Sequence, residues 1–359
     1  MMLNYVKYGL SEDPDPKSQI GIIKNPVEEK IILKSRQPST INTNVIEDTQ
    51  EKKIYKKEYV WWNIILLGTL HIAAVYGLCL KFDHFGANVF GKVIALLSTL
   101  GITGGAHRLW THKSYKANWT VQIILMFMAT LTYQNSIYIW ARDHRMHHKY
   151  SETDADPHNA KRGFFFCHMG WLMVRKHPDV IEKGKTIDMS DLKANPLVMF
   201  QHKYYYPLVF LIAAVIPSCF AHYILGASWE VAIFHVTIYR YIVSVNLVWC
   251  INSMAHLYGN KPYDKNIGPT ESGMMRVFGF GEGFHNYHHT YPYDYKAAEF
   301  HNDSRNLTTF MIDFFAWIGW VTDRKTVSRE AIDAKCARSG GGDREMDMHD
   351  PYKKGLQEY

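Results

Sequence analysis

Nine histidines in this 359-residue chain fall into four groups: His107-Arg-Leu-Trp-Thr-His112, His144-Arg-Met-His147-His148, the single His256, and His285-Asn-Tyr-His288-His289. On an α-helix, positions i, i+3 and i+4 share one face, so each HxxHH unit presents three imidazoles together as a partial metal shell. Lone histidines such as His71, His222 and His235 read as packed or interfacial side chains. One HxxHH among Arg142, Asp143, Arg145 and Lys149 would read equally well as an exposed helix face. Two such units with an HxxxxH in one chain do not. Nine imidazoles exceed the four ligands of a structural zinc, so two metals are the natural count, and neutral nitrogen donors suit iron as well as zinc. Asn252 lies one turn before His256 on the same helical face.

The elements that must carry these groups are apolar. Composition is 47% hydrophobic and 21% charged with a mean hydropathy of -0.21, which excludes a chain that is mostly membrane. Within that average, windows at about 61–80, 89–106, 207–225 and 229–250 are nearly free of charge and long enough to span a bilayer. Lys52, Lys53, Lys56 and Lys57 precede the first, and Arg108, Lys113 and Lys116 follow the second, so the positive-inside rule places both termini in the cytosol. A fifth window, Trp119 to Trp140, is long enough to cross but carries Gln122, Thr130, Thr132, Gln134, Asn135 and Ser136. If it crossed, His107 and His112 would lie on the opposite side from His144. Metal ligands must converge within a few ångströms, so this window does not span. The expected fold is an all-α integral membrane protein: four transmembrane helices in two hairpins, with a cytosolic helical cap carrying a histidine-bound di-metal site. Residues 1–58 read as a mobile cytosolic tail, 59–326 as the membrane domain and 327–359 as a polar C-terminal tail. Arg240, inside the fourth span, must face protein, water or an interface. A net charge of +6 and a pI near 8.8 are too mild for nucleic acid but suit a membrane surface or an anionic ligand. Five cysteines without a CxxC pair exclude a disulfide scaffold or zinc ribbon.

At GAHRLWTHKSYKA, WARDHRMHHKYSETDADPHNAKRGFFFCHMGWL, NSMAHLYGNKPYDK and GEGFHNYHHTYPYDY the sequence resembles the membrane acyl-CoA desaturases of the stearoyl-CoA type, particularly those of insects. The resemblance runs from about Tyr59 to Thr326. It implies a non-haem di-iron centre held by His107, His112, His144, His147, His148, His256, His285, His288 and His289, with Asn252 acting through water. It also implies the reaction: oxygen-dependent insertion of a cis double bond into a saturated fatty acyl-CoA. Electrons would come from cytochrome b5 and its NADH-dependent reductase, at the endoplasmic reticulum membrane. Zinc could replace iron in overexpressed protein, since all-nitrogen sites do not reject it.

Further roles follow from the resemblance. Trp140, Gln134 and Trp249 would shape a bend in an acyl tunnel, with an aromatic belt as the competing account of the two tryptophans. Arg142, Arg175 and Lys176 would bind the CoA headgroup, although Arg175 and Lys176 also fit an ordinary positive-inside loop. With His107 facing the metals, helical periodicity puts Ala95 and Thr99 beneath it on the tunnel side, where small side chains would admit longer acyl chains. The stretch Gly268-Pro-Thr-Glu271 resembles one that tracks lineage among insect enzymes, which leaves Δ9 and Δ11 regiochemistry both open. A related hydroxylase or sterol desaturase is the alternative within the enzyme class. A histidine-rich zinc transporter or receptor is the alternative outside it, but its ligands would sit at mid-membrane.

Overall fold

The second and fourth apolar segments form helices longer than the apolar core of a bilayer. In the computed structural model, which describes residues 55–80, 83–299 and 306–342, they run Phe85–Thr111 and Val231–Leu257, 27 residues each. At 1.5 Å per residue that is about 40 Å against a hydrocarbon thickness of about 30 Å, so roughly one to two turns project beyond it. His107 and His256 sit on those projecting turns. The first and third spans, Trp61–Cys79 and Tyr205–Ile224, are 19 and 20 residues long. The fourth span is central, with the other three packed against it. Most of the expected N-terminal tail and residues 343–359 of the C-terminal tail lie outside the described residues.

The window from Trp119 breaks in two, in keeping with its polar residues. Trp119–Thr130, capped by Asn118, has 12 residues and rises about 18 Å, too short to cross. A turn follows, with Tyr133 and Asn135 at positive φ, and Ser136 caps the helix Ile137–Tyr150 that carries the first HxxHH. Ile137 N–H donates to Gln201 Oε1 (3.0 Å) and Ser136 Oγ bonds His202 Nδ1 (2.7 Å), so polar side chains tie this corner to the helix Pro196–Lys203. Val121, Leu125, Met126, Met128 and Ala129 pack with Leu100, Leu109, Trp110, Ile137, Ala141 and Ile312 in the largest buried apolar cluster, which anchors the end of the second span. A Cβ at Gly101 would overlap the backbone at Met128 and Ala129, so only glycine permits this crossing. A two-residue antiparallel ladder, Lys116–Ala117 with Val321–Thr322, closes the cap beside the helix Leu307–Trp317. The stretch read from sequence as the start of a polar tail forms the helix Arg329–Ser339, which buries Ile332 against Tyr263, Phe284, Tyr287 and Tyr291.

Arg240 faces protein. Its Nη1 donates to Leu131 O (2.8 Å), an orphan carbonyl at a helix end, and its Nη2 to Ala213 O (2.9 Å). Pro217 has no N–H to return to the carbonyl four residues before it. The guanidinium thus satisfies two carbonyls that lipid cannot.

Candidate metal centre

Five histidines, His107, His112, His144, His148 and His288, bring ring nitrogens within 4.8 Å of one another; His147, His256, His285 and His289 form a second such group. In both, Nε2 turns inward. Nε2 of His107 lies 2.9 Å from that of His288, which lies 3.1 Å from that of His148, itself 3.1 Å from that of His144. In the second group, Nε2 of His256 lies 3.2 Å from that of His147 and 3.0 Å from that of His285. The groups adjoin where His148 and His289 stack with centroids 4.0 Å apart.

Local winding explains how the HxxxxH pair meets. Five residues along an ordinary α-helix turn about 500°, which leaves two side chains roughly 140° apart. Gly101–Thr111 instead follows the wider π winding, with His112 N–H donating to His107 O at 3.1 Å. That winding brings the rings to 4.8 Å. Arg145, inside the first HxxHH, holds the same end in place. It donates to Trp110 O (2.7 Å) and Thr111 O (3.2 Å) and makes a bidentate pair with Asp191 (2.7 and 2.8 Å).

Burial, and after it the neighbouring imidazoles, hold His112, His144, His148, His285, His288 and His289 well below the ordinary imidazole range. These rings are neutral near pH 7, with lone pairs available. Nε2 of His112 and of His289 are buried with no hydrogen-bond partner among the described residues. A buried acceptor without a partner is costly, and a cation at each group would satisfy it. The donor set therefore fits two metal ions.

Three carboxylates that the histidine pattern did not reveal stand behind the ligands. Glu282 Oε2 lies 3.1 Å from His107 Nδ1, and Arg108 bridges Glu282 (2.9 Å) to Tyr295 O (2.9 Å) and Thr309 Oγ1 (3.0 Å). Burial pushes the Glu282 carboxyl up, but His107 and Arg108 outweigh it and hold it at about 2. Asp156 Oδ1 lies 2.9 Å from His147 Nδ1, and the carboxylate accepts the N–H groups of Glu152 (2.8 Å) and His158 (3.1 Å). Burial is again outweighed, by His147 and then His158, and Asp156 stays below the carboxylate range. Glu152 Oε1 stands 3.7 Å from His256 Nδ1. Acceptors on the outer nitrogen fix tautomer and ring orientation. The one sequence cue for Asp156 is its place in the turn-forming Asp-Ala-Asp-Pro after the box. Glu271, whose carboxyl burial pushes up to about 8, accepts Tyr287 N–H (2.8 Å) and so anchors the third box.

A cavity opens onto both groups, reaching His107 and His144 of one and His147 and His285 of the other. Thr99, Ile102 and Thr103 of the second span face Leu247, Val248, Ile251 and Asn252 of the fourth across it, and Trp140, stacked on His144 at 4.8 Å, closes one side. Gln134 and Trp249 are buried outside that lining. Ala95 does not line this cavity; it lines a separate one with Lys92, His235 and Arg240. Arg142 and Lys176 share the Asp143 carboxylate (2.9 and 2.7 Å), whereas Arg175 pairs with Glu58 (2.7 Å) nearer the surface.

The fatty acid desaturase family model matches residues 83–305. The chain is 50% identical over 305 residues to an acyl-CoA Delta-9 desaturase of Acheta domesticus, covering 84% of this chain and 85% of that one. It is 47% identical over 311 residues to an acyl-CoA Delta(11) desaturase of Spodoptera littoralis (84% and 92% covered). To a stearoyl-CoA desaturase of Homo sapiens it is 50% identical over 288 residues (80% of each). With four apolar helices, two convergent histidine groups and this similarity over most of its length, the chain belongs to the fatty acid desaturase family.

Proposed function

We propose that this protein is an acyl-CoA desaturase of the endoplasmic reticulum membrane, with both termini cytosolic, that places a cis double bond in a saturated fatty acyl-CoA. The observation that carries this reading is the apolar cavity between the second and fourth spans that ends on both histidine groups. An alkyl chain has no polar handle, so its position must come from the shape of such a cavity and from whatever holds its other end. An unactivated methylene has no acidic proton and no leaving group, and two irons, when bound, would supply the redox chemistry with dioxygen that removing its hydrogens requires.

The remaining tasks fall to this chain's residues. His107, His112, His144, His148 and His288 would hold one iron, and His147, His256, His285 and His289 the other, with Asn252 contributing through water. Glu282 and Asp156 would keep the outer nitrogens of His107 and His147 as donors, which leaves Nε2 as the ligating atom there. Trp140, braced against His144, limits where the chain can bend. Arg142 and Lys176, which share the Asp143 carboxylate, would bind the phosphates of CoA, with Arg175 farther out. Holding the headgroup there and the chain in the cavity sets the distance from thioester to metals. Electrons would arrive from cytochrome b5 and its NADH-dependent reductase. The name of one relative carries Δ9 and another Δ11, and regiochemistry is read from product. Expression in yeast lacking its own desaturase, with mass spectrometry of derivatised lipids, tests the proposal. Oxygen-dependent unsaturated products are expected; hydroxylated products or none would overturn it.

A further inference from the structure

The apolar cavity that ends on the histidines has one thin wall. Among the described residues that line it, Phe278 is the one that is also exposed on the outer surface, at 53%. It closes the short helix Gly273–Phe278, after which the chain turns back through Phe280 at φ 51° and Gly281 at φ 108°. The root of that helix is fixed. Ser272 N–H donates to Gly283 O (3.1 Å), a Cβ at Gly283 would overlap the backbone of Met275 and Arg276, and the Arg276 guanidinium sits 4.4 Å over the Phe284 ring. Met275 is buried, whereas Met274, Val277 and Phe278 face outward.

The level of this wall in the bilayer follows from the spans it touches. A Cβ at Gly279 would come within 3.2 Å of Ile251 Cδ1, so the helix end rests on the fourth span at Ile251. Ile251 lies 20 residues beyond Val231, about 30 Å of helix, which is the thickness of the hydrocarbon core. On the second span the matching level is Thr103, which lines the same cavity. There Thr308 Oγ1 lies 2.7 Å from Thr103 Oγ1 and 3.0 Å from Phe280 O, so the helix Leu307–Trp317 is tied to both the span and the turn behind Phe278. That helix is too short to cross, yet it exposes Phe310, Phe314 and Trp317 (72, 48 and 81%) at i, i+4 and i+7 on one face. An apolar face of this kind beside two spans lies in the boundary between headgroups and acyl chains. The outer side of Phe278 therefore meets the cytosolic leaflet, and its inner side meets the cavity.

We propose that Phe278 is the gate of a lateral portal between the second and fourth spans, through which an alkyl chain passes between the cytosolic leaflet and the cavity. This rests on the acyl-CoA reading above. A chain already dissolved in the leaflet then enters sideways while its headgroup stays in water, and the product leaves the same way. A gate acts on the barrier, so it changes the rates of binding and release by the same factor; a residue that is only wall changes chiefly the rate of release. Full-length wild type, Phe278→Ala, Phe278→Trp and, as a buried wall residue, Ile102→Ala are placed in phosphatidylcholine nanodiscs without reductant. Stopped-flow fluorescence then follows binding and release of parinaroyl-CoA, an intrinsically fluorescent acyl-CoA. Phe278→Ala should raise both rates about tenfold, equivalent to about 1.4 kcal/mol of barrier, and Phe278→Trp should lower both, with Kd nearly unchanged in each. Ile102→Ala should change Kd through release. In a separate sample Phe278 is replaced by the photoreactive p-benzoylphenylalanine, and irradiation should yield phosphatidylcholine adducts, seen by mass spectrometry. Release changed without binding in either Phe278 variant that folds would overturn the proposal, as would unchanged rates or the absence of lipid adducts. A wild type that does not bind the acyl-CoA would instead overturn the acyl-CoA reading.

Discussion

Replacing Thr99 by phenylalanine should shorten the acyl chain the enzyme accepts, and replacing Ala95 by tyrosine should do the same about one helical turn deeper. Thr99, Ile102 and Thr103 line the cavity at the metals, whereas Asn88, Gly91, Lys92 and Ala95 line the separate cavity. The facing residues are Leu247, Val248 and Ile251 in the first and His235, Tyr239, Arg240 and Val243 in the second. On both helices these positions recur every three or four residues, so the two cavities occupy one seam, with their boundary between Ala95 and Thr99. Thr99 spends its hydroxyl on Ala95 O (3.0 Å), a local bond whose loss leaves the helix intact. Four residues of helix rise about 6 Å, the reach of roughly four or five methylenes in an extended chain. At about 0.8 kcal/mol per buried methylene, a substrate too long by four would lose up to about 3 kcal/mol, roughly 200-fold in kcat/KM. Microsomes given equimolar myristoyl-, palmitoyl- and stearoyl-CoA, with products resolved by mass spectrometry, read the cut-off directly. Thr99→Phe should favour the shortest chain, and Ala95→Tyr should discriminate only against the longest. The double bond should stay in place relative to the thioester, because a headgroup held at Arg142 and Lys176, as proposed, would fix the count from the other end. The same cut-off in both variants, or a displaced double bond with unchanged chain preference, would refute the reasoning.

Tags at both termini and a protease site between Lys193 and Lys203 should all be cut in sealed microsomes, and protection of any one contradicts a shared cytosolic side. His147→Ala should abolish desaturation with normal membrane insertion, and Asp156→Asn should cost about 10- to 100-fold in metal affinity; activity above about a tenth of wild type in His147→Ala would make that ring a bystander. Acidification should destabilise the metal-free protein. Burial lowers His158 to about 3 and holds six of the clustered imidazoles well below the ordinary range, so below about pH 6.5 the unfolded chain binds more protons than the folded one. For His158 this is about 1.4 kcal/mol lost per pH unit between about pH 6.5 and its lowered value. A Tm in detergent that fails to fall between pH 7.5 and 5.5 would count against neutral buried rings. Arg240→Leu should strand the Leu131 and Ala213 carbonyls at about 1–3 kcal/mol each, and adding Pro217→Ala, which restores an N–H near Ala213, should recover part of the loss in Tm. No recovery would mean that the proline does not create the need for Arg240.

Helical periodicity and the demand that metal ligands converge were enough to mark all nine histidines and to keep the window from Trp119 out of the bilayer. Both arguments use only spacing and the length of a span, properties that a linear sequence contains. Spacing is also why Arg240 could be recognised as needing protein around it without its partners being identifiable. The carbonyls it meets, Leu131 and Ala213, are 109 and 27 residues away in the chain. The same distance in sequence hid the carboxylates. Glu282 sits three residues before His285 yet serves His107, 175 positions upstream. Ala95 and Thr99 share a face by periodicity, but their division between two cavities depends on where the fourth span crosses the second. The approach of His107 and His112 depended on π winding, a local departure that their five-residue spacing does not encode. What the sequence determined was which atoms could bind metal and which segments could cross lipid. Packing decided which nitrogen faces inward, and at His107 and His147 the outer nitrogen is turned to a carboxylate, Glu282 and Asp156, that only the fold brings there.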